Sequence, residues 1–405
     1  MSDLRASRIV DALADAAARW RDADFPARVR ATRALTQRTG YSEPVVEYAL
    51  DRLFGDVTRE ALRAVIVDEL GSLEALDGFV ARPGRPDVFF RGAERVVILS
   101  SDTTLGVALP PLLFALCAKT NVVVKDRSDR LVAAFVETLS EELPELAACV
   151  RVEEWRGDDE EVSRAHLAGA DVVVAFGNDA SLRAIRAQLA PGARFVPFGH
   201  RTSAGYVARE TLAAEESAAA CARDAARDAL LYDGEGCLSL HVLFVERGGA
   251  LDPARFTELL SDAFDALALE FPSTHTEPDA EFTLYRKGER FRASQAPGAT
   301  FAGGTTFTIA LDPPPSEPPL LFPRTLSVYP VSGPGEALAL IERHRLPLEG
   351  FAACPAERAD VSDVALRSGA ARFTRLGRLQ APPIAGNHGA RERILPFVQT
   401  LYRDR

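Results

Sequence analysis

Residues Leu230 to Val245 read LLYDGEGCLSLHVLFV, a cysteine preceded by two glycines and followed by an apolar run. Gly234 and Gly236 leave room for a ligand to approach the backbone, and a thiol placed there can attack a carbonyl. Cys237 is therefore the candidate nucleophile. A thiolate of lowered pKa attacks without a dedicated base, and its thioesters and thiohemiacetals serve acyl transfer and hydride chemistry. The competing reading is packing, because free cysteines are among the most buried side chains. His241 falls four residues on, on the same strand face, about 13 Å along an extended chain, too far for a direct Cys–His pair.

Three further turns carry groups suited to a ligand. VVVKDRSD, Val122 to Asp129, sets Lys125 and Ser128 at a strand end, where a cation and a hydroxyl can meet a ribose or phosphate. VVAFGNDAS, Val173 to Ser181, offers Gly177 for close backbone approach and Asn178 or Asp179 as a helix cap, with capping assigned to Asp179. RFVPFGHRTSAGYV, Arg194 to Val207, reads as a strand, a tight turn at Gly199 and a second strand. His200 in that turn has the one side-chain type that titrates near neutrality, though a lone histidine in a turn is more often incidental. His388, in the loop AGNHGA, is placed to fold back toward a site. No GxGxxG follows any strand, which disfavours a standard Rossmann dehydrogenase.

The elements that must position these groups alternate. Ser7 to Leu76 has apolar residues at three- and four-residue steps and reads as helices. RPGRP, Arg82 to Pro86, breaks that pattern, and Val88–Phe90 with Arg95–Leu99 reads as a hairpin around Gly92. Short apolar strands at Val96, Val122, Val150 and Val172 then alternate with helices near Pro111–Ala118, Leu131–Leu143, Asp159–Ala168 and Ala180–Leu189, the pattern of a doubly wound parallel sheet. Its turns at Ser100–Thr104, Lys125–Ser128 and Phe176–Asp179 should line a ligand crevice. An alanine-rich helix, Glu215–Leu230, leads into a second α/β region reaching about Phe373, with a proline-rich loop at Asp312–Pro323. The expected division is a helical segment of the cofactor lobe over 1–80, a nucleotide cofactor domain over 81–230, a catalytic domain over 231–380 and a C-terminal segment over 381–405.

At 405 residues the chain is long enough for two or three domains. A net charge of −11 offers no attraction for nucleic acid or anionic lipid and favours small-molecule chemistry. Five cysteines without CxxC pairing or histidine spacing indicate neither a disulfide framework nor a metal site, and fit a reducing cytoplasm. The longest uncharged run, Leu105–Ala118, is too short to span a bilayer and contains two prolines; the N-terminus lacks a signal-peptide core.

Taken in order, NVVVK (Asn121–Lys125), FGN (Phe176–Asn178), FGHRTSAGYV (Phe198–Val207) and GEGC (Gly234–Cys237) resemble the aldehyde dehydrogenase superfamily. With TQRTGYS (Thr36–Ser42) and APPIAGNHG (Ala381–Gly389), the chain is similar to LuxC-type acyl-CoA reductases over roughly residues 30 to 400. The resemblance implies an aldehyde-dehydrogenase-like α/β fold, a doubly wound cofactor domain plus a second α/β catalytic domain. It makes Cys237 the acyl acceptor and NADPH, or NADH, the hydride donor. Lys125, Ser128, Gly177, Asn178 and Gly199 become cofactor contacts, Arg127 a partner for a 2′-phosphate, and Thr104 with the Cys237 N–H the oxyanion donors, since the usual asparagine is replaced around Thr103 and Thr104.

Two departures direct the chemistry. Aldehyde-oxidising relatives carry a water-activating glutamate at the start of the Phe198 turn, where this chain has phenylalanine, and a ribose-binding glutamate that PLLFPR (Pro319–Arg324) lacks. An acyl-cysteine without such a base suits thiol exchange, hence reduction of an acyl-CoA or acyl-carrier thioester to an aldehyde. The alternatives are a CoA-acylating aldehyde dehydrogenase in the oxidative direction, a relative acting on an acyl phosphate, or a non-catalytic scaffold subunit. A homodimer, or a place in a larger reductase complex, is the expected assembly.

Overall fold

The structure, a computed structural model, describes residues 4–101, 105–126, 130–156, 159–273, 280–295, 300–302, 306–312, 316–319 and 321–404. Its contacts divide into two compact units, one of Met1–Thr39, Val46–His200 and Pro383–Arg405, the other of Gly40–Val45 and Arg201–Pro382.

The helical start resolves into α1 (Ala6–Trp20), α2 (Pro26–Thr39), α3 (Glu43–Gly55) and α4 (Arg59–Leu70). Ile9, Val10, Leu13, Ala16, Ala17 and Trp20 form the buried stripe of α1. Short strands β1 (Val80–Arg82) and β2 (Arg85–Gly92) come next. The alternating region follows as β3 (Arg95–Leu99), α5 (Leu109–Cys117), β4 (Asn121–Lys125), α6 (Leu131–Glu142), α7 (Pro144–Ala147), β5 (Val150–Glu153), α8 (Glu160–Leu167), β6 (Val172–Phe176), α9 (Asp179–Gln188) and β7 (Arg194–Phe198). The five strands form one parallel sheet in the order β5-β4-β3-β6-β7. Valine-rich runs such as NVVVK and VVVAF suit strands covered on both faces.

In the second unit, β8 (Thr202–Val207), α10 (Glu215–Leu230), β9 (Leu240–Glu246), α11 (Pro253–Glu270), α12 (Ala280–Gln295), β10 (Thr300–Ala302), β11 (Thr308–Leu311), β12 (Thr325–Val331), α13 (Pro334–His344), β13 (Leu348–Cys354), α14 (Ala359–Arg367) and β14 (Arg372–Arg375) build a sheet ordered β10-β11-β12-β9-β8-β13-β14. All its pairings are parallel except β10 with β11. Alternate residues of its central strands, such as Val242 with Phe244 and Phe351 with Ala353, join α13 and α14 in one core. The described part of the proline-rich connector, 316–319 and 321–323, carries neither helix nor strand. Residues 201–230, read from sequence as part of the cofactor domain, belong to this unit because β8 lies in its sheet and α10 packs on α11.

The chain returns to the first unit with β15 (Val398–Arg403). The expected hairpin of Val88–Phe90 with Arg95–Leu99 does not form: β2 pairs with β1 and with β15, while β3 pairs with β4 and β6. Both edges of β3 are occupied by parallel partners, so β2 must find another strand. Gly92 marks the bend, where a Cβ would stand 1.9 Å from the Ala118 carbonyl oxygen.

Candidate active site

The second unit holds the thiol on a strained turn. Beyond α10 the backbone passes through three consecutive left-handed residues, Tyr232 (φ 56°), Asp233 (φ 53°) and Gly234 (φ 75°), before reaching Cys237 and β9. A non-glycine residue pays to sit in that region, so the surroundings must enforce it. Arg324 does so: its Nε donates to Asp233 Oδ1 at 2.6 Å, its Nη2 to the Phe271 carbonyl at 2.6 Å, and its backbone N–H to the Asp233 carbonyl at 2.8 Å. A Cβ at position 234 would come within 2.9 Å of the Arg324 nitrogen, so the glycine serves this approach as well as its positive φ. Tyr41, from the TQRTGYS motif, donates to Glu235 at 3.4 Å and meets Tyr232 edge-on at 6.1 Å.

A second brace runs from α10. Fully buried Asp228 accepts from the N–H groups of Gly377 (2.7 Å) and Leu379 (3.1 Å), and burial pushes its carboxyl up to about 7. Gln380 ties the Asp228 carbonyl to the Ser239 hydroxyl, two residues past the thiol. On β8, the Ser203 hydroxyl donates to the Cys237 carbonyl and accepts from the Gly350 N–H, both at 3.0 Å.

Cys237 is half-buried, unlike sealed Cys117. The atoms packed around its sulfur push the thiol up to about 12, and the charge of Glu349 adds to this. The backbone N–H groups of Cys237 and Leu238 and the charge of Arg201 pull the other way. The cysteine with a depressed pKa is a different one, half-buried Cys354, brought down to about 7 chiefly by its hydrogen bond with Cys221 and further by the Thr211 hydroxyl at 3.6 Å.

The first unit carries the expected cofactor turns. With β3 flanked by β4 and β6, the chain winds one way and then the other, and the switch point lies at the carboxyl ends of these strands. Lys125 ends β4, nearly buried, its ammonium 4.9 Å from the Trp155 ring centre. Gly177 follows β6 directly; its N–H donates to the Phe198 carbonyl, and a Cβ there would meet the Ser181 side chain at 3.5 Å. The α9 cap is Asn178, whose side-chain oxygen accepts from the Ser181 N–H at 2.9 Å, and not Asp179, which is already the first helical residue. Gly199 packs near Asp179 and Leu182, and His200 is exposed. Gly177, Asn178 and Gly199 thus gather at the ends of β6 and β7, with Lys125 two strands away at the end of β4. Thr103, Thr104, Arg127 and Ser128 lie outside the described residues.

His388 does fold back, onto aromatic rings. It stacks on Phe198 at 4.3 Å, which stacks on Phe176 at 4.7 Å, and burial drives the imidazole down to about 3, leaving it neutral. Arg194–His200 contains no acid, so this turn presents a ring stack and no carboxylate of its own. Sequence reasoning missed Ser203, Asp228, Arg324 and Glu349, all buried polar residues around the thiol turn.

Comparison with known proteins agrees with this architecture. The long-chain acyl-protein thioester reductase of Aliivibrio fischeri is 22% identical over 311 residues, 71% of this chain, and the match spans 62% of that relative's length. Among solved structures, an NAD-dependent benzaldehyde dehydrogenase from Corynebacterium glutamicum aligns with a TM-score of 0.71 at 16% identity, over 99% of this chain and 87% of that one. A glyceraldehyde-3-phosphate dehydrogenase from Methanocaldococcus jannaschii, solved with NADP, also aligns at 0.71, with 11% identity over 99% and 90% of the two chains. These likenesses establish an aldehyde-dehydrogenase-like fold. The model of the acyl-CoA reductase (LuxC) family matches residues 1–389, from the first helix to the late glycine–histidine loop, and the chain belongs to that family.

Proposed function

We propose that this protein reduces an acyl thioester, acyl-CoA or acyl-carrier, to an aldehyde through an acyl group held on Cys237, with NADPH as the hydride source. The observation that carries the reading is the braced turn itself: a half-buried thiol with two backbone N–H groups at its sulfur, on a segment whose strain the surrounding hydrogen bonds enforce. Attack by the sulfur on the thioester carbonyl forms one S–C bond and releases CoA or carrier thiol. The N–H groups of Cys237 and Leu238 supply donors for the developing oxyanion, a role the Thr104 hydroxyl shares in this proposal.

The first unit fits a dinucleotide: a nearly buried cation ends β4, a capped helix begins beyond Gly177, and both sit at a switch point. Lys125, Ser128, Gly177, Asn178 and Gly199 would hold it, and Arg127 would favour a 2′-phosphate. When bound, the nicotinamide supplies the hydride that makes the acyl group an aldehyde. With a ring stack where a water-activating glutamate is expected, hydrolysis of the acyl-cysteine is disfavoured and thiol exchange or reduction favoured.

Anaerobic assay with an acyl-CoA panel and NADPH tests this. NADPH oxidation that Cys237→Ala abolishes, with an acyl mass shift on Cys237 when cofactor is omitted, is expected. No oxidation by wild type across the panel rejects it, and NADPH binding without turnover would then point to the scaffold reading.

A further inference from the structure

β8 stands between β9 and β13, and both of its ladders slip at one residue, Ser203. On the β13 side Leu348 pairs with Thr202 and Gly350 with Ser203, so Glu349 is an extra residue; on the β9 side Leu240 pairs with Ser203 and Val242 with Ala204, so His241 is another. Bulges re-aim side chains and recur beside active sites. Here they leave the fully buried Ser203 hydroxyl between the Gly350 N–H and the Cys237 carbonyl, 3.0 Å from each. An N–H can only donate, so the hydroxyl accepts from Gly350 and its single proton goes to the Cys237 carbonyl. A Cβ at Gly350 would stand 2.8 Å from the Ser203 oxygen, so glycine is what admits this approach.

That carbonyl belongs to the centre of a turn. The Ser239 N–H donates to the Gly236 carbonyl at 2.9 Å, which closes residues 236–239 around the Cys237–Leu238 peptide. In a trans peptide the C=O and the following N–H point in opposite directions across one plane, so a bond that fixes the Cys237 carbonyl fixes the Leu238 N–H too. A full flip of this peptide needs a positive φ that Leu238 does not have, and the remaining tilt is left to Ser203. The same bond polarises the amide and strengthens its N–H as a donor. Neither the Cys237 N–H nor the Leu238 N–H donates to a backbone carbonyl among the described residues; both lie beside the Cys237 sulfur.

We propose that Ser203 is a positioning residue for acyl transfer: by its hydrogen bond to the Cys237 carbonyl it aims the Leu238 N–H at the oxyanion that forms when the Cys237 sulfur attacks the thioester carbonyl. One S–C bond forms at Cys237 as the carbonyl electron pair moves to oxygen; the pair returns as the bond to the CoA or carrier sulfur breaks, and the thiol proton ends on the departing thiol. Ser203 exchanges no proton, and nothing is oxidised or reduced. The proposal deepens the acyl-transfer reading above and rests on it.

Full-length wild type, Ser203→Ala and Ser203→Thr are compared with acyl-CoA and no cofactor, by peptide-resolved mass spectrometry. At saturating acyl-CoA, acylation of Cys237 should fall about 100-fold in Ser203→Ala, the cost of misplacing a group by about 1 Å, with half-saturation little changed. Ser203→Thr keeps the hydroxyl and should recover part of the rate. Alkylation of Cys237 by iodoacetamide passes through no oxyanion and should fall far less than acylation, whereas a collapsed turn slows both alike. Infrared spectra of the acyl-enzyme, made with an isotope-labelled acyl carbonyl, should show the thioester C=O stretch at higher frequency in Ser203→Ala, because that oxygen has lost a donor. Equal losses of acylation and alkylation, an unchanged acylation rate or an unchanged stretch overturns the proposal. No acylation in wild type sinks the acyl-transfer reading and this proposal with it, whereas wild-type acylation that Ser203→Ala leaves intact sinks this proposal alone. Should Ser203→Ala fail to fold, Ser203→Cys, close in size and a weaker donor, decides by the same comparison.

Discussion

Iodoacetamide at pH 7 should label Cys354 before Cys237, against the expectation that a catalytic cysteine is the most reactive thiol in its protein. Cys354 is brought down to about 7 by the Cys221 hydrogen bond foremost, while burial pushes Cys237 up to about 12. At pH 7 about half of Cys354 is thiolate, against about 10⁻⁵ of Cys237. Intrinsic nucleophilicity partly offsets this, since a thiolate gains reactivity with pKa along a Brønsted slope of about 0.4–0.5, or about 200-fold over the separation. The net preference is about 300-fold for Cys354. Both residues are half-buried, so access does not reverse the order. Timed labelling with peptide-resolved mass spectrometry reads the two rates directly, and Thr211→Val, which removes the hydroxyl 3.6 Å from the Cys354 sulfur, should slow the faster one. Labelling of Cys237 first would refute the reasoning, for it would mean that this thiol is already activated without substrate.

Two further predictions concern the braces of the thiol turn. Asp228, with a folded pKa near 7 against about 3.9 unfolded, contributes stability that is complete below about pH 4 and lost as pH rises through 7, about 4 kcal/mol in all. Urea unfolding at pH 5 and pH 8 should therefore show wild type losing several kcal/mol relative to Asp228→Asn, and parallel profiles for the two proteins would contradict it. Arg324→Met leaves Asp233 buried without its guanidinium, a loss of about 3–5 kcal/mol. Denaturant midpoints should show that loss and a substantial recovery when Asp233→Asn is added; a cost below about 1 kcal/mol would mean that the pair does not hold the turn.

The sheets were legible because their signal is local. Runs such as NVVVK and VVVAF state their burial in consecutive residues, and helices alternate with them at a regular interval. What was misread depended on partners far away or on near-equal local choices. Val88–Phe90 reads as half of a hairpin, but its partner is β15, three hundred residues on, which no local pattern can announce. Asn178 and Asp179 cap helices about equally well, so only the course of the backbone into α9 decides between them. Cys237 was found through its glycines, although Gly234 makes room for Arg324 as much as for any ligand.

A signal for Glu349 did exist in the sequence, as an acid inside the otherwise apolar run LEGFAAC. A carboxylate in a buried parallel strand is costly unless something pairs with it. Glu246, closing the run HVLFVE of β9, is the same signal with a structural answer: fully buried, it is met by Arg209 at 2.9 Å and Arg358 at 2.6 Å. Two guanidinium groups pair with that acid. Glu349 has Arg201 at 3.6 Å, and its charge acts against the Cys237 thiolate. An acid in a buried strand thus marks a place where pairing must be found, and only the folded chain shows which groups, distant in sequence, supply it.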